Sequence, residues 1–448
     1  MTNSNITYQL SRRVSNIRIQ DLGNDQIVDI KYKLLDWFGC AIGAASRPVG
    51  KKIINIFNNI GNNDDSSFIG SNQKLHYSNA AYANGMLGHV LELDDVHKSS
   101  ISHPGAIAIP SALATAEAFN SNIEDFLMGI VAGYEVMIRL GDALNPSHYD
   151  YWHTTGTCGA FASAAASSRV RNFSSVETNA ALNMVSTTAS GLVSVFGTDS
   201  KLVTVGHACY AGTMSSMFVK EGLSTTDNIL EAENGYIAAT SNDDNLNRIT
   251  ENLENRLMID TAFYKIHASC GHTHSSIDGV LSILAEENVD INQITKVEIR
   301  TYDKAIELTG QLNVESEQKA KFSLPYCIAC ALVYGRVSLS EFKDKVLKSD
   351  QIRLLSDKIQ ISNDDECNSL YPNKRMAKVK IYFGEKFFER KIPLPFGKPP
   401  KKFIEDKFMS LATMAISEKN AEQVMKYILS INQMKKMNEF SDIFNYTL

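Results

Sequence analysis

The spacing of apolar residues changes once along this chain, near residue 290, and that change constrains the fold more than any single motif. From residue 25 to about 262 the spacing is three and four. Ile27, Ile30, Leu34, Trp37, Phe38 and Ile42 make the stripe of an amphipathic helix within 25–46. Ser121 to Glu124 gives a capping signal ahead of Phe126, Leu127, Ile130, Val131, Tyr134 and Ile138. The segments 159–170 and 176–195 are crowded with Ala, Ser and Thr. Small residues let helices approach closely, so both segments are expected as helices at the centre of a helical core. After residue 290 the period becomes two: 296–302 and 377–383 alternate apolar and polar residues, and Gly384-Glu385 turns the second strand into 387–392. Residues 324–334 read as a helix between these strands, and 393–400, rich in Pro, Gly and Lys, as a hinge. Helical spacing then returns with Phe403, Phe408, Leu411, Met425, Ile428 and Leu429.

These patterns predict a mainly α protein: a large all-helical domain over 1–262, completed by 404–448, and a smaller α+β lid domain over 263–403. A length of 448 residues is ample for that division. With 44% hydrophobic residues the chain is no disordered polymer, and a net charge of −6 argues against a nucleic-acid partner. Seven scattered cysteines make no disulfide framework and point to a reducing, cytoplasmic setting. The first residues lack the basic and apolar regions of a secretory signal, and nowhere do about 18 apolar residues run uninterrupted. No membrane partner is expected.

All ten histidines lie between residues 76 and 274, so the chemistry should draw on the helical domain and its exit. Five stretches concentrate it. The first, His89-Val-Leu-Glu92-Leu-Asp94-Asp95-Val96-His97 through His103-Pro104-Gly105, gathers acids and imidazoles ahead of a helix start. Its histidine spacing fits no compact zinc pattern, and no metal is expected. The second, His148 to Gly159, sets His153 before Thr154, Thr155, Gly156 and Thr157, whose hydroxyls and N–H groups suit an anion. The third places Lys201 after Gly197-Thr-Asp-Ser. The fourth packs Lys265, His267, Cys270, His272 and His274 into a short run. The fifth runs from Lys321 through Tyr326 to Cys327 and Cys330, the two cysteines reading as core.

Taken in order, these stretches resemble the MmgE/PrpD family of 2-methylcitrate dehydratases, cis-aconitate decarboxylases and iminodisuccinate epimerases. The phrases that carry the resemblance are Asn84-Gly, His89, Leu93-Asp94-Asp95, His103-Pro104 and Gly133-Tyr-Glu-Val136. They continue with His153-Thr-Thr-Gly-Thr157, Gly197-Thr-Asp-Ser-Lys201, Lys265 with Ser269-Cys270 and Thr273-His274, and Lys321-Phe-Ser-Leu-Pro-Tyr326. The resemblance spans roughly residues 25 to 335. It implies a helical domain with an α+β lid, a homodimer, and a cofactor-free enzyme acting on a small di- or tricarboxylate. The implied catalytic residues are His103, His153, Lys201, Lys265, Cys270 and Tyr326, and the implied substrate contacts are Glu92, Asp94, Asp95, Val96, Thr154, Thr157 and His274. The decarboxylases of the family have Asp and Thr where this chain has Glu92 and Val96, and His where it has Cys270. The chain also lacks the methylcitrate dehydratase signature around residues 92 to 103, so the subfamily is open, with dehydration of a 2-methylcitrate-like hydroxy acid the expected reaction. His153 would act as base and Tyr326 as acid, with Lys201, Lys265 and His103 holding carboxylates. A decarboxylase or epimerase is the alternative; a metal-dependent hydrolase using His97, His103, His272 and His274 is more distant.

Overall fold

The computed structural model describes residues 5–61, 63–243, 245–395 and 398–447. It is mainly α-helical with a small α+β region. Two compact units emerge: Met1–Phe196, Ser200–Tyr264 and Pro399–Leu448 form the first, Gly197–Asp199 and Lys265–Lys398 the second.

The first unit is built from α1 (Ile6–Asn16), α2 (Asn24–Ala45), α3 (Pro48–Ile60), α4 (Tyr77–His89), α5 (Gly105–Ala118), α6 (Ile123–Leu144), α7 (Thr154–Val170), α8 (Ser175–Val185) and α9 (Ser200–Lys220). A two-stranded ribbon, β1 (Ser66–Ser67) with β2 (Lys74–Leu75), lies between α3 and α4 in the chain. Helices α4, α5, α7 and α9 pack on one another at the centre, with α6 against α5 and α7. Small residues set that packing. A Cβ on Gly212 of α9 would stand 2.3 Å from the Ala164 nitrogen and 2.4 Å from the Ser163 Cβ on α7, so only glycine permits the approach. Hydroxyls there satisfy one another or the backbone: Ser111 donates to Ser163 Oγ (2.9 Å), and Ser163 donates to the Cys209 carbonyl (2.8 Å).

The helix expected over 176–195 ends ten residues early, at Val185. Ser186, Thr187 and Thr188 each turn the side-chain hydroxyl back onto a carbonyl three residues earlier. Such hydroxyls offer the backbone an alternative to the helical ladder. The segment that follows runs in short 3₁₀ turns towards α9, and this irregular path contributes Phe196 to the site.

In the second unit the strands β3 (Lys296–Thr301), β4 (Ile359–Asn363), β5 (Ala377–Phe383) and β6 (Lys386–Ile392) form a sheet of order β4-β3-β5-β6. The β3–β4 pair is parallel and the other two are antiparallel. Val297, Ile299 and Thr301 alternate inward with Ala377, Val379 and Ile381 across the pair, as the sequence period requires. Helix α10 (His274–Glu286) covers β5 and β6, and α11 (Leu324–Tyr334) packs beside it. Strand β4 was not expected; its five residues show no sustained alternation, and only Ile359 is buried. The expected hinge over 393–400 includes Phe396 and Gly397, which lie outside the described residues. Helices α12 (Lys401–Ala412) and α13 (Glu418–Leu429) then return to the first unit, where both pack on α2. No helix among the described residues is long and apolar enough to cross a membrane.

Candidate active site

Helix α4 ends at His89, and the chain reverses before it enters α5. The reversal puts Glu92 at φ +57°, a left-handed conformation that costs a non-glycine residue about 1–3 kcal/mol and persists only where neighbours enforce it. Several contacts do so. Val96 and Phe263 exchange two backbone hydrogen bonds of 2.8 Å, and His97 and Ser102 pair likewise. Lys407 of α12 donates to the Leu93 carbonyl (2.7 Å) and to Asp36 (2.6 Å). Asp95 accepts the Gly105 N–H (2.8 Å) on one oxygen and the Tyr134 hydroxyl (2.6 Å) on the other, with the Lys33 ammonium 3.7 Å away. It thereby caps α5 from outside the helix. Burial pushes its carboxyl up to about 6, against the pull of Lys33, Tyr134 and Gly105.

Asp94 lies one residue before this anchor and faces two imidazoles. Its Oδ2 is 2.8 Å from His89 Nδ1 and 3.0 Å from His103 Nδ1. Burial alone would raise the Asp94 carboxyl, but the two imidazoles outweigh it and hold it far below the usual carboxylate range. The rings of His89 and His103 meet edge to face at 4.7 Å. The His103 backbone N–H donates to the Thr155 hydroxyl (3.2 Å), which ties the start of α5 to α7.

Lys201, in the first turn of α9, pairs with Glu92 across this loop and lies 5.2 Å over the Phe196 ring. One turn along, the Thr204 hydroxyl donates to the Lys201 carbonyl (2.8 Å). With its hydrogen on that carbonyl, the same oxygen accepts from His153 Nδ1 at 2.8 Å. That arrangement puts the proton on Nδ1 and leaves Nε2 with its lone pair. His153 is 2% exposed, with the Phe196 ring edge-on at 5.0 Å. Burial, followed by the positive field of Lys201, His89 and His103, lowers its pKa well below the ordinary histidine value. It is a neutral imidazole among ions.

Of the residues expected in the first unit, the structure thus brings together Glu92, Asp94, His103, His153 and Lys201. Others turn inward. Thr154 accepts from Asn145 (3.4 Å), and Thr157 bonds His148 Nε2 (2.8 Å); both threonines are wholly buried. Burial takes His148 down to about 4 against the Thr240 carbonyl, so it stays neutral and supports α7. The Asp95 carboxylate is spent on α5, and Val96 serves through its backbone. These four were expected as substrate contacts, and the structure gives their polar groups partners within the fold.

In the second unit Lys265 is wholly buried, and the Cys270 N–H donates to the Lys321 carbonyl (2.8 Å). His274 lies 3.2 Å from the Ser269 carbonyl through Nε2, and burial, with the field of His267 and Lys265, lowers its pKa well below the ordinary value. His267 pairs with Asp278 at 2.8 Å. Tyr326 was expected to deliver a proton. Here its hydroxyl donates to the Glu341 carbonyl (2.6 Å), and burial raises its pKa far above the ordinary value. Cys327 and Cys330 are buried on α11, and burial pushes the Cys330 thiol up to about 12: they belong to the core.

Sequence reasoning did not single out His89, Thr204 or Phe196 as site residues. The signal for Thr204 was its one-turn spacing from Lys201; for His89, the five residues to Asp94. One grouping among the described residues brings possible metal-ligand atoms within 4.8 Å of one another: His89, Asp94 and His103. Its 2.8 and 3.0 Å separations are hydrogen-bond distances. Ligands bonded to tetrahedral zinc at about 2.0–2.1 Å would stand farther apart, at roughly 3.3 Å. His97, placed among the hydrolase ligands above, is outside this grouping and bonds Ser100 (2.8 Å).

Comparison with known proteins shows the family. The MmgE/PrpD N-terminal domain matches residues 8–249, and the MmgE/PrpD C-terminal domain matches residues 267–433. A cis-aconitate decarboxylase-like protein of Aspergillus oryzae is 23% identical over 97% of this chain and 96% of its own length. The cis-aconitate decarboxylase of Aspergillus terreus is 22% identical over 99% and 96%, and that of Homo sapiens 23% identical over 80% and 77%. Two domain matches that together cover most of the sequence make this protein a member of the MmgE/PrpD family.

Proposed function

We propose that the protein is a lyase acting on a small di- or tricarboxylate, and that it dehydrates a 2-methylcitrate-like hydroxy acid without a cofactor. The observation that carries this reading is the state of His153, a neutral imidazole with its lone pair on Nε2, set among cations. Dehydration begins with removal of a weakly acidic proton next to a carboxylate, which needs a base, and histidine acts as one only while neutral. Negative charge then grows on the substrate carboxylate, where Lys201 and His103 would stabilise it. The departing hydroxide takes a proton. His103 suits that step, because the Asp94 carboxylate at Nδ1 stabilises an imidazolium able to give up its proton at Nε2. The proton taken at carbon rests on His153, the proton given at oxygen comes from His103, and water leaves.

A second reading is cis-aconitate-type decarboxylation, which the names of the relatives favour. That reaction loses carbon dioxide and then needs a proton donor rather than a base. An iminodisuccinate-type epimerisation would use the same base. Incubating the protein with 2-methylcitrate, citrate, cis-aconitate and iminodisuccinate in deuterium oxide, followed by NMR, separates the three. Water loss supports the first reading, carbon dioxide loss the second, and exchange without net loss the third. Turnover of none of the four would refute the substrate class.

The resemblance also assigns Lys265, Cys270, His274 and Tyr326 to this reaction. We keep Lys265 as a carboxylate holder and Cys270 and His274 as substrate contacts; alanine substitution of each should raise KM. Assembly as a homodimer and a cytoplasmic location are further parts of the proposal. Helix α9 leaves Val203, Tyr210, Met214 and Phe218 at least partly exposed along one stripe, and light scattering would read the oligomer directly.

A further inference from the structure

We infer that His89 and Asp94 are a positioning pair for His103, an assignment that rests on the role given to His103 above. His89 closes α4, is wholly buried and reaches two carboxylates. Its Nδ1 is 2.8 Å from Asp94 Oδ2, and its Nε2 is 3.6 Å from Glu92 Oε1. No hydrogen-bond partner for His89 Nε2 or Asp94 Oδ1 occurs among the described residues. A buried imidazole nitrogen and a buried carboxylate oxygen left so are costly, and a fold that only needed filling here would do better with apolar side chains.

The geometry gives the arrangement a purpose. Asp94 Oδ2 accepts a hydrogen bond from His89 Nδ1 at 2.8 Å and lies in ion-pair contact with His103 Nδ1 at 3.0 Å, so each ring turns Nε2 away from Asp94. The carboxylate beside His103 Nδ1 favours a proton there and one ring orientation, as an orienting carboxylate does for a catalytic imidazole. His89 steadies the carboxylate from the other side. It also stands edge to face against His103 at 4.7 Å, which restricts that ring's rotation. Because His89 Nε2 looks toward Glu92, the partner of Lys201, it joins the two halves of the cluster: His103 with Asp94, and Lys201 with Glu92. Neither His89 nor Asp94 is given a bond to make or break. Both act through the ring they hold.

The test uses the full-length protein with ¹⁵N-labelled histidine. Long-range ¹H–¹⁵N NMR, with the His103 signals identified from a His103→Gln variant, should show Nδ1 protonated on both rings. A His103 ring bare at Nδ1 would overturn the pairing without any variant having to fold. In kinetics, His89→Gln should lower kcat about 10-fold or more, the equivalent of stranding one buried hydrogen-bonding group, with KM changed far less. The pH profile of kcat should shift with it. Asp94→Asn should do the same and broaden the His103 signals. If His103→Gln is inactive while His89→Gln keeps the wild-type kcat, pH profile and His103 spectrum, the positioning role is wrong and the proposed function stands. If His103→Gln is fully active, the functional reading itself falls. A bound divalent ion at stoichiometric level, lost together with the His103 spectrum on chelation, would make the three residues ligands instead and overturn the inference.

Discussion

Replacing Thr204 with valine tests the proton assignment on His153 directly, because valine keeps the shape and removes the oxygen. In the wild-type protein that oxygen accepts the His153 Nδ1–H at 2.8 Å, while its own hydrogen goes to the Lys201 carbonyl. Without it the buried N–H has no acceptor at that position, a cost of about 1–3 kcal/mol. The imidazole can escape by moving its proton to Nε2, and that tautomer has no lone pair facing the cations. At 1.36 kcal/mol per decade, the productive tautomer falls by about 5- to 150-fold, and kcat should fall with it. Thr204→Ser, which restores the oxygen, should recover most of the loss. The acid limb of kcat/KM should lie well below pH 6.5 in the wild type, because burial and the surrounding cations keep His153 neutral. NMR of ¹⁵N-labelled histidine reads the tautomer independently of turnover. A Thr204→Val enzyme with wild-type kcat and an unchanged His153 spectrum would refute the reasoning.

Three further outcomes follow from the same contacts. The Asp95 carboxyl is pushed up to about 6, above its unfolded value near 4, so its contribution favours folding at low pH and is lost as pH rises through that window. Asp95→Asn should flatten the dependence of Tm on pH between about 4 and 6. Lys407→Ala leaves Asp36 buried beside an empty space and should cost about 3–5 kcal/mol, measured as the shift of the chemical-unfolding midpoint. Dialysis against a chelator should leave turnover unchanged, since the histidine and carboxylate spacings fit hydrogen bonds; activity lost with zinc and restored by it would contradict this.

Periodicity made the helices legible because a buried stripe leaves the same mark in any helical protein. It missed β4, whose five residues include one buried apolar side chain, and it carried α8 too far because Ser186, Thr187 and Thr188 look helical until their hydroxyls find carbonyls. In the site, His103, His153 and Lys201 stood out as ionisable groups beside glycines and hydroxyls. Thr154, Thr157 and Asp95 carry the groups a carboxylate ligand or its water would need, and those same groups suit Asn145, His148 and the start of α5. Composition cannot distinguish a hydroxyl that faces a ligand from one that faces a neighbour. His89 was passed over for the opposite reason: its importance lies in two distances, to Asp94 and to Glu92, that only the reversal of the chain after α4 creates.

Lys407 sets a schedule for making this protein. Its ammonium locks the Leu93 carbonyl, next to Asp94, from a position 314 residues later in the chain. At about 5–20 residues per second, a ribosome needs roughly 15–60 s to go from one to the other. Throughout that interval the helices around the site can assemble, while the loop that carries Glu92 and Asp94 relies on its contacts through Val96, His97 and Asp95, and Asp36 lacks its Lys407 partner. The whole second unit is synthesised in the meantime. A chain that stops before α12 would therefore leave the Leu93 carbonyl and Asp36 without the Lys407 ammonium, and the loop beside Asp94 would be held by fewer contacts.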